Sequence, residues 1–208
     1  MILRTFRGMD VIVLCAFIAA CERGPITTVA SADSKVYEAF FAQNKQAPPD
    51  TLYFSDTTLV FDARASAGDA EPDRALLLGQ LKNAEVPDEL ALSVSRRSAK
   101  KRPMNTLPLP QPAHILASGE IKGIFTRNPT DGWAEFYRRY PHAKRELNDP
   151  FGGYQAFSPI GYNGAGSEAL FYSEHRCGPR CGSGQLVWVS RAPDGQWKVR
   201  KAIGLWIS

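Results

Sequence analysis

Cys177-Gly-Pro-Arg-Cys181-Gly-Ser-Gly184 is the stretch of this chain whose residue types and spacing are best suited to chemistry. Two thiols with three residues between them, two of those Gly and Pro, sit on a loop tight enough to bring the sulfurs together. Three chemistries fit the pair. In an oxidising compartment Cys177 and Cys181 close a structural disulfide, and chain entropy gives so small a loop about 2 kcal/mol. As an exchanging dithiol, the pair would rely on Arg176 and Arg180 to stabilise a thiolate. The familiar exchange motif instead has two intervening residues and opens a helix. As metal ligands, the cysteines would join His175 around zinc with one position open. The remaining histidines, His114 and His142, lie far from the motif and supply no evident fourth ligand. The disulfide is the favoured reading, and no metal site is assigned.

Other reactive groups are less well arranged. The sequence contains no Gly-x-Ser-x-Gly elbow, no His-Glu-x-x-His pair and no phosphate-binding Walker loop. Ser183 between two glycines and Ser167 after Gly164-Ala-Gly166 read as turns, and Glu168, Glu174 and His175 form a triad only on paper. No catalytic residue and no cofactor is assigned. The 208 residues are 44% hydrophobic and 22% charged, as in an average globular protein. A net charge of +4 is too mild to argue for nucleic-acid binding, and none is expected.

The first 20 residues, MILRTFRGMDVIVLCAFIAA, combine Arg4 and Arg7 with an apolar run from Val11 to Ala20. That run is far short of the roughly 20 apolar residues of a spanning helix and suits a signal-peptide core. Ile18-Ala19-Ala20-Cys21 closes it and resembles the bacterial lipobox. The resemblance implies diacylglycerol transfer to Cys21, cleavage before it and acylation of its new amine, including palmitate. A plain signal peptide that leaves Cys21 unmodified is the alternative. Acyl chains of this number hold a protein to a membrane without spanning it. Glu22 after the cysteine, rather than Asp, favours the outer membrane over the inner.

The expected organisation is a signal peptide over residues 1–20, a tether over 21–32 and one domain over 33–208. Residues 22–32 (ERGPITTVASA) are short and polar, as a tether should be. Asp33 or Ser34 can cap a helix that runs to about Phe41, with Val36, Phe40 and Phe41 on one face. Residues 52–61 (LYFSDTTLVF) read as a strand. An Ala/Leu-rich helix follows Pro72, and a second follows Pro87-Asp88-Glu89-Leu90. Arg96, Arg97, Lys100, Lys101 and Arg102 read as a solvated loop, with anionic lipid head groups as the functional alternative. Residues 103–112 carry four prolines and exclude a regular helix or central strand. Residues 114–126 alternate like one or two strands. Trp133, Phe136, Tyr137 and Tyr140 recur at helical spacing, which is simplest as core packing and could alternatively stack a sugar. Strand-like stretches at 154–163, 169–175, 185–190 and 197–207 end the chain, the last two joined by Ala192-Pro-Asp-Gly195.

From Trp133 onward the chain resembles the C-terminal module of uncharacterised exported bacterial proteins. The resembling residues are Trp133-Ala-Glu-Phe-Tyr, Tyr140-Pro141, Phe157-Ser158 with Gly161-Tyr-Asn163, and Glu168-Ala-Leu170 with Tyr172. Cys177-Gly with Cys181-Gly-x-Gly184, Gly195-x-Trp197-Lys-Val199 and the ending Trp206-Ile-Ser208 complete them. The resemblance implies a secreted β-rich module and no activity. Ser158, Tyr162 and Asn163 are its polar residues to inspect beside any pocket. The fold class expected is α+β, with N-terminal helices followed by a C-terminal antiparallel meander. The role expected is a lipid-anchored envelope protein that binds an envelope protein or ligand, or has a structural part. A thiol–disulfide protein or an unrecognised hydrolase is the alternative.

Overall fold

The computed structural model describes residues 27–43, 51–59, 81–107, 109, 112–126, 129–144 and 152–208. In chain order the elements are α1 (Thr27–Gln43), β1 (Leu52–Ser55), α2 (Asp88–Ser98), β2 (Ala113–Leu116), α3 (Ser118–Phe125) and α4 (Pro129–Arg139). They are followed by β3 (Tyr154–Phe157), β4 (Gly161–Tyr162), β5 (Glu168–Gly178), β6 (Cys181–Arg191) and β7 (Trp197–Ile207). The strands form a seven-stranded sheet in the order β2-β1-β3-β5-β6-β7, with β4 paired to β5.

The antiparallel meander β5-β6-β7 follows from local chemistry. β5 and β6 carry continuous apolar runs, Ala169–Tyr172 and Leu186–Val189, as strands covered on both faces do, and short turns join neighbours. At the β6–β7 turn Gly195 takes φ +82°, its N–H bonds the Ala192 carbonyl at 2.8 Å, and Asp194 accepts from Gln196 N at 2.9 Å. The β5–β6 strands run further than expected. Gly178 pairs with Cys181, so Pro179 and Arg180 alone make the turn, and the 177–184 segment is strand at both ends.

The segregation of helices before strands is corrected by the structure: helices are spread through the chain. β1 pairs in parallel with both β2 and β3, and α2, α3 and α4 lie between those strands in sequence. Parallel neighbours need long crossover connections, which no turn motif announces. Residues 118–125, expected as strand, form helix α3. The Asp56 carboxylate caps it, accepting from Ser118 N at 2.6 Å and from the Ser118 hydroxyl. The chain is already helical at Thr27, ahead of the expected Asp33 cap.

Burial is continuous through the middle of β5 and β6, because successive residues face opposite sides of the sheet and both sides are covered. On one face, α1 lays Tyr37, Phe40 and Phe41 against Phe54, Phe157 and Phe171. Tyr37 stacks on Phe157 with centroids 5.2 Å apart and meets Phe171 edge-on at 5.1 Å. On the other face, α2 covers Leu170, Leu186 and Trp188, while α3 and α4 bury Ile124, Trp133 and Phe136 beside Tyr53 and Tyr154. α2 can approach closely because β4 offers Gly161, whose added Cβ would collide with the Val94 backbone. Among the described residues no helix is long and apolar enough to cross a membrane.

Candidate functional site

Cys177 and Cys181 are joined as a disulfide across the β5–β6 turn, with Cα atoms 5.0 Å apart. The Tyr137 hydroxyl donates to the Cys177 carbonyl at 2.5 Å, so α4 holds the bridged end of the hairpin. His175 bonds the Gly152 carbonyl through Nε2, which therefore carries the ring proton, and its Nδ1 lies 3.9 Å from the Cys177 sulfur. Among the described residues no cluster of three or more His, Cys, Asp or Glu is placed to hold a metal ion. Cys21, the signal peptide and most of the tether lie outside the described residues.

The other sequence candidates have structural work. Ser158 is fully buried: its hydroxyl accepts from Tyr172 N at 2.8 Å, and its carbonyl accepts from the Tyr37 hydroxyl at 3.0 Å. Asn163 closes the turn before β5 by accepting from the N–H groups of Ser167 and Glu168. Tyr162 donates to Asp33 at 2.6 Å, and Arg97 approaches the same carboxylate at 4.0 Å. Burial raises the Asp33 pKa, and the Tyr162 bond and Arg97 charge only partly oppose it. The triad drawn from Glu168, Glu174 and His175 is not assembled. Glu168 pairs with Arg200, Glu174 pairs with Arg176, and His175 points to the opposite face from Glu174. The aromatic stripe of α4 packs as core, with Trp133 4.9 Å from Phe125 and Phe136 5.1 Å from Tyr140.

A concave groove runs over the face that carries α3, and most of its charged lining was not legible as a site. It comprises two adjoining cavities of about 490 and about 420 Å³, both lined by Ile121, Lys122, Tyr154 and Arg176. At one end Phe125, Trp133, Cys181 and Gly182 line it; at the other Thr57, Thr58, Lys101 and Glu174 do. β3 and β5 supply the floor because Tyr154 pairs with Arg176 and Ala156 with Glu174. The α3 helix supplies Lys122, and the segment after α2 supplies Lys101.

The charges of the groove do not cancel. In the smaller cavity Lys101, Lys122 and Arg176 face one side-chain carboxylate, Glu174, which holds the Arg176 guanidinium at 2.5 Å. Arg176 also lies over the Trp206 ring at 5.3 Å, so it is held in place from two sides. Burial raises the Tyr154 pKa, keeping its hydroxyl protonated as a donor. Such a set of cations, the phenols of Tyr154 and Tyr172 and flanking aromatic rings can orient a negatively charged group.

The five-residue basic cluster of the sequence is divided by this arrangement. Arg97 serves Asp33, Lys101 enters the groove, and Arg96, Lys100 and Arg102 face solvent. Lys122 carried no signal, because its segment alternates like a strand. Comparison with known proteins finds no matching family model, no matching curated protein and no matching solved structure.

Proposed function

We propose that this chain is a lipid-anchored protein of the bacterial cell envelope whose domain is a non-catalytic binding module for an anionic envelope ligand. The observation that carries the reading is the groove itself: three cationic side chains converge on one concave surface, with Arg176 preorganised by Glu174 and Trp206. The two thiols that could do chemistry are tied together, and His175 is turned away from the carboxylate that could assist it. Acyl chains on Cys21 would deliver the groove to a surface rich in phosphate and carboxylate. The lipobox resemblance and the likeness of the C-terminal module to exported bacterial proteins support that location, with the outer membrane favoured.

Two measurements test the parts separately. Cys21→Ser is expected to move the protein from the membrane to the soluble fraction; unchanged fractionation overturns the anchor. Arg176→Gln is expected to weaken inorganic diphosphate binding about tenfold in calorimetry, and equal affinity in both proteins overturns the groove.

The thiol–disulfide alternative has one observation in its favour: Cys181 lines the groove beside Lys122 and Arg176. Alkylation of Cys181 after mild reductant decides for it, and resistance until strong reduction decides against it.

A further inference from the structure

On the opposite face the same strands build a second cavity, of about 320 Å³, with different chemistry. Its lining is Phe40, Gln43, Gln155, Ser173, His175, Ser183, Gln185 and Ala202, so it carries three carboxamides, two hydroxyls and one imidazole. Neither a carboxylate nor an ammonium or guanidinium group is among them.

The sheet register explains why these groups converge. His175 lies between Gln155 of β3 and Ser183 of β6, and Ser173 lies opposite Gln185. Two adjacent pairs across β5 and β6 are therefore polar, flanked by Phe157 opposite Ser173 and by Phe54 opposite Gln155, while the pairs beyond them on the same face are Phe171 with Val187 and Ala169 with Val189. Gln155 and Ser173 are the most buried of the lining residues, 4% and 3% exposed. From α1, Phe40 gives the cavity a wall and Gln43 a rim.

We infer that this cavity is a binding site for a neutral saccharide. Carboxamides offer paired donors and acceptors that match vicinal hydroxyls, and serine hydroxyls extend the pattern. The Phe40 wall gives the apolar face of a sugar ring a surface to pack on. The volume lies at the small end of ligand pockets, about 300–1,000 Å³, which suits one or two sugar rings. Absence of charge from the lining selects against the anionic ligand of the groove, because an unpaired anion would lose its hydration here without a counter-charge. The inference goes beyond the proposed function and concerns a separate surface.

The test uses the full chain in a sugar-free detergent, titrated with maltotriose and with N,N′-diacetylchitobiose. Side-chain amide signals in nitrogen-15 NMR are the readout. Saturable shifts of the Gln43, Gln155 and Gln185 signals by one of the sugars are expected. Gln185→Ala should weaken that sugar about tenfold, the loss of a bonded carboxamide, at an unchanged melting temperature. Gln43→Ala, on the exposed rim, should weaken it about threefold and serves if Gln185→Ala does not fold. No shift with either sugar, or equal affinity in wild type and both variants, overturns the site.

Discussion

Ser173 and His175 of β5 turn toward the α1 face, while Glu174 and Arg176 turn toward the face that carries α3. One face thereby ends in an uncharged polar pocket and the other in a cationic, aromatic-walled groove. The backbone is shared, and so is the disulfide at its end. The contrast teaches that a strand's period of two can give a thin sheet two chemically distinct surfaces without any specialised loop. What distinguishes them is the covering helix. α1 contributes neutral Phe40 and Gln43, whereas α3 contributes Lys122 beside Ile121 and Phe125.

If one sheet supports both surfaces, damage to its centre should remove them together. Phe157 touches Tyr37, Phe40, Phe41, Phe54 and Phe171 through its ring. Phe157→Ala is expected to cost about 3–5 kcal/mol in urea denaturation, with both ligand responses lost in parallel. Loss of the pocket alone would mean that the two faces are supported independently. Removing the shared crosslink is a milder version of the same test. Cys177→Ala is expected to cost about 2 kcal/mol and to leave the folded protein able to bind at both faces.

The helices of the two faces meet at Asp33, which joins α1 to Arg97 of α2 and Tyr162 of β4. Because burial raises the Asp33 pKa, the stability it contributes is present below its ordinary 3.8 and is lost as pH rises through the folded value. Asp33→Asn should therefore flatten the fall in stability above that pH, measured by urea midpoints across an acid-to-neutral series. A fall of unchanged size would assign the pH dependence to other groups. The smallest effect is expected at Glu135 on the outer surface of α4. Hydrogen bonds from Arg138 and then Arg139 lower its pKa to about 2. Its contribution is present above the usual 4.5 and is lost as pH falls toward about 2. Glu135→Gln should leave neutral-pH binding at both faces unchanged, because exposed pairs contribute little.

The sequence was legible where structure is set locally. Asp194-Gly195 announced the β6–β7 hairpin, the α4 aromatic stripe announced core, and the spacing of Val36, Phe40 and Phe41 announced the buried face of α1. The cysteine pair was legible as a crosslink, although its segment is strand around a two-residue turn. The parallel set β2-β1-β3 was not legible, because strands of four residues separated by long connections leave no pairing signal. Helix α3 is hidden in the sequence for a related reason. Its cap is Asp56, 62 residues away, so no local start signal precedes Ser118. With α3 read as strand, Lys122 had no place in a site. Neither surface appears as a motif, since each draws on several distant segments. In the sequence Arg176 stands out only as a neighbour of the thiols, and Ser183 only as part of a turn.

The most direct measurement places both probes on one sample: nitrogen-15 NMR of the full chain titrated first with inorganic diphosphate and then with a neutral oligosaccharide. The account expects diphosphate to shift Lys122, Tyr154 and Arg176, with an effect that weakens as salt is raised. The sugar is expected to shift Gln43, Gln155 and Gln185, with an effect that salt leaves alone. Shifts by both probes at the same residues, or by neither probe at either surface, would contradict a sheet with two chemically distinct faces.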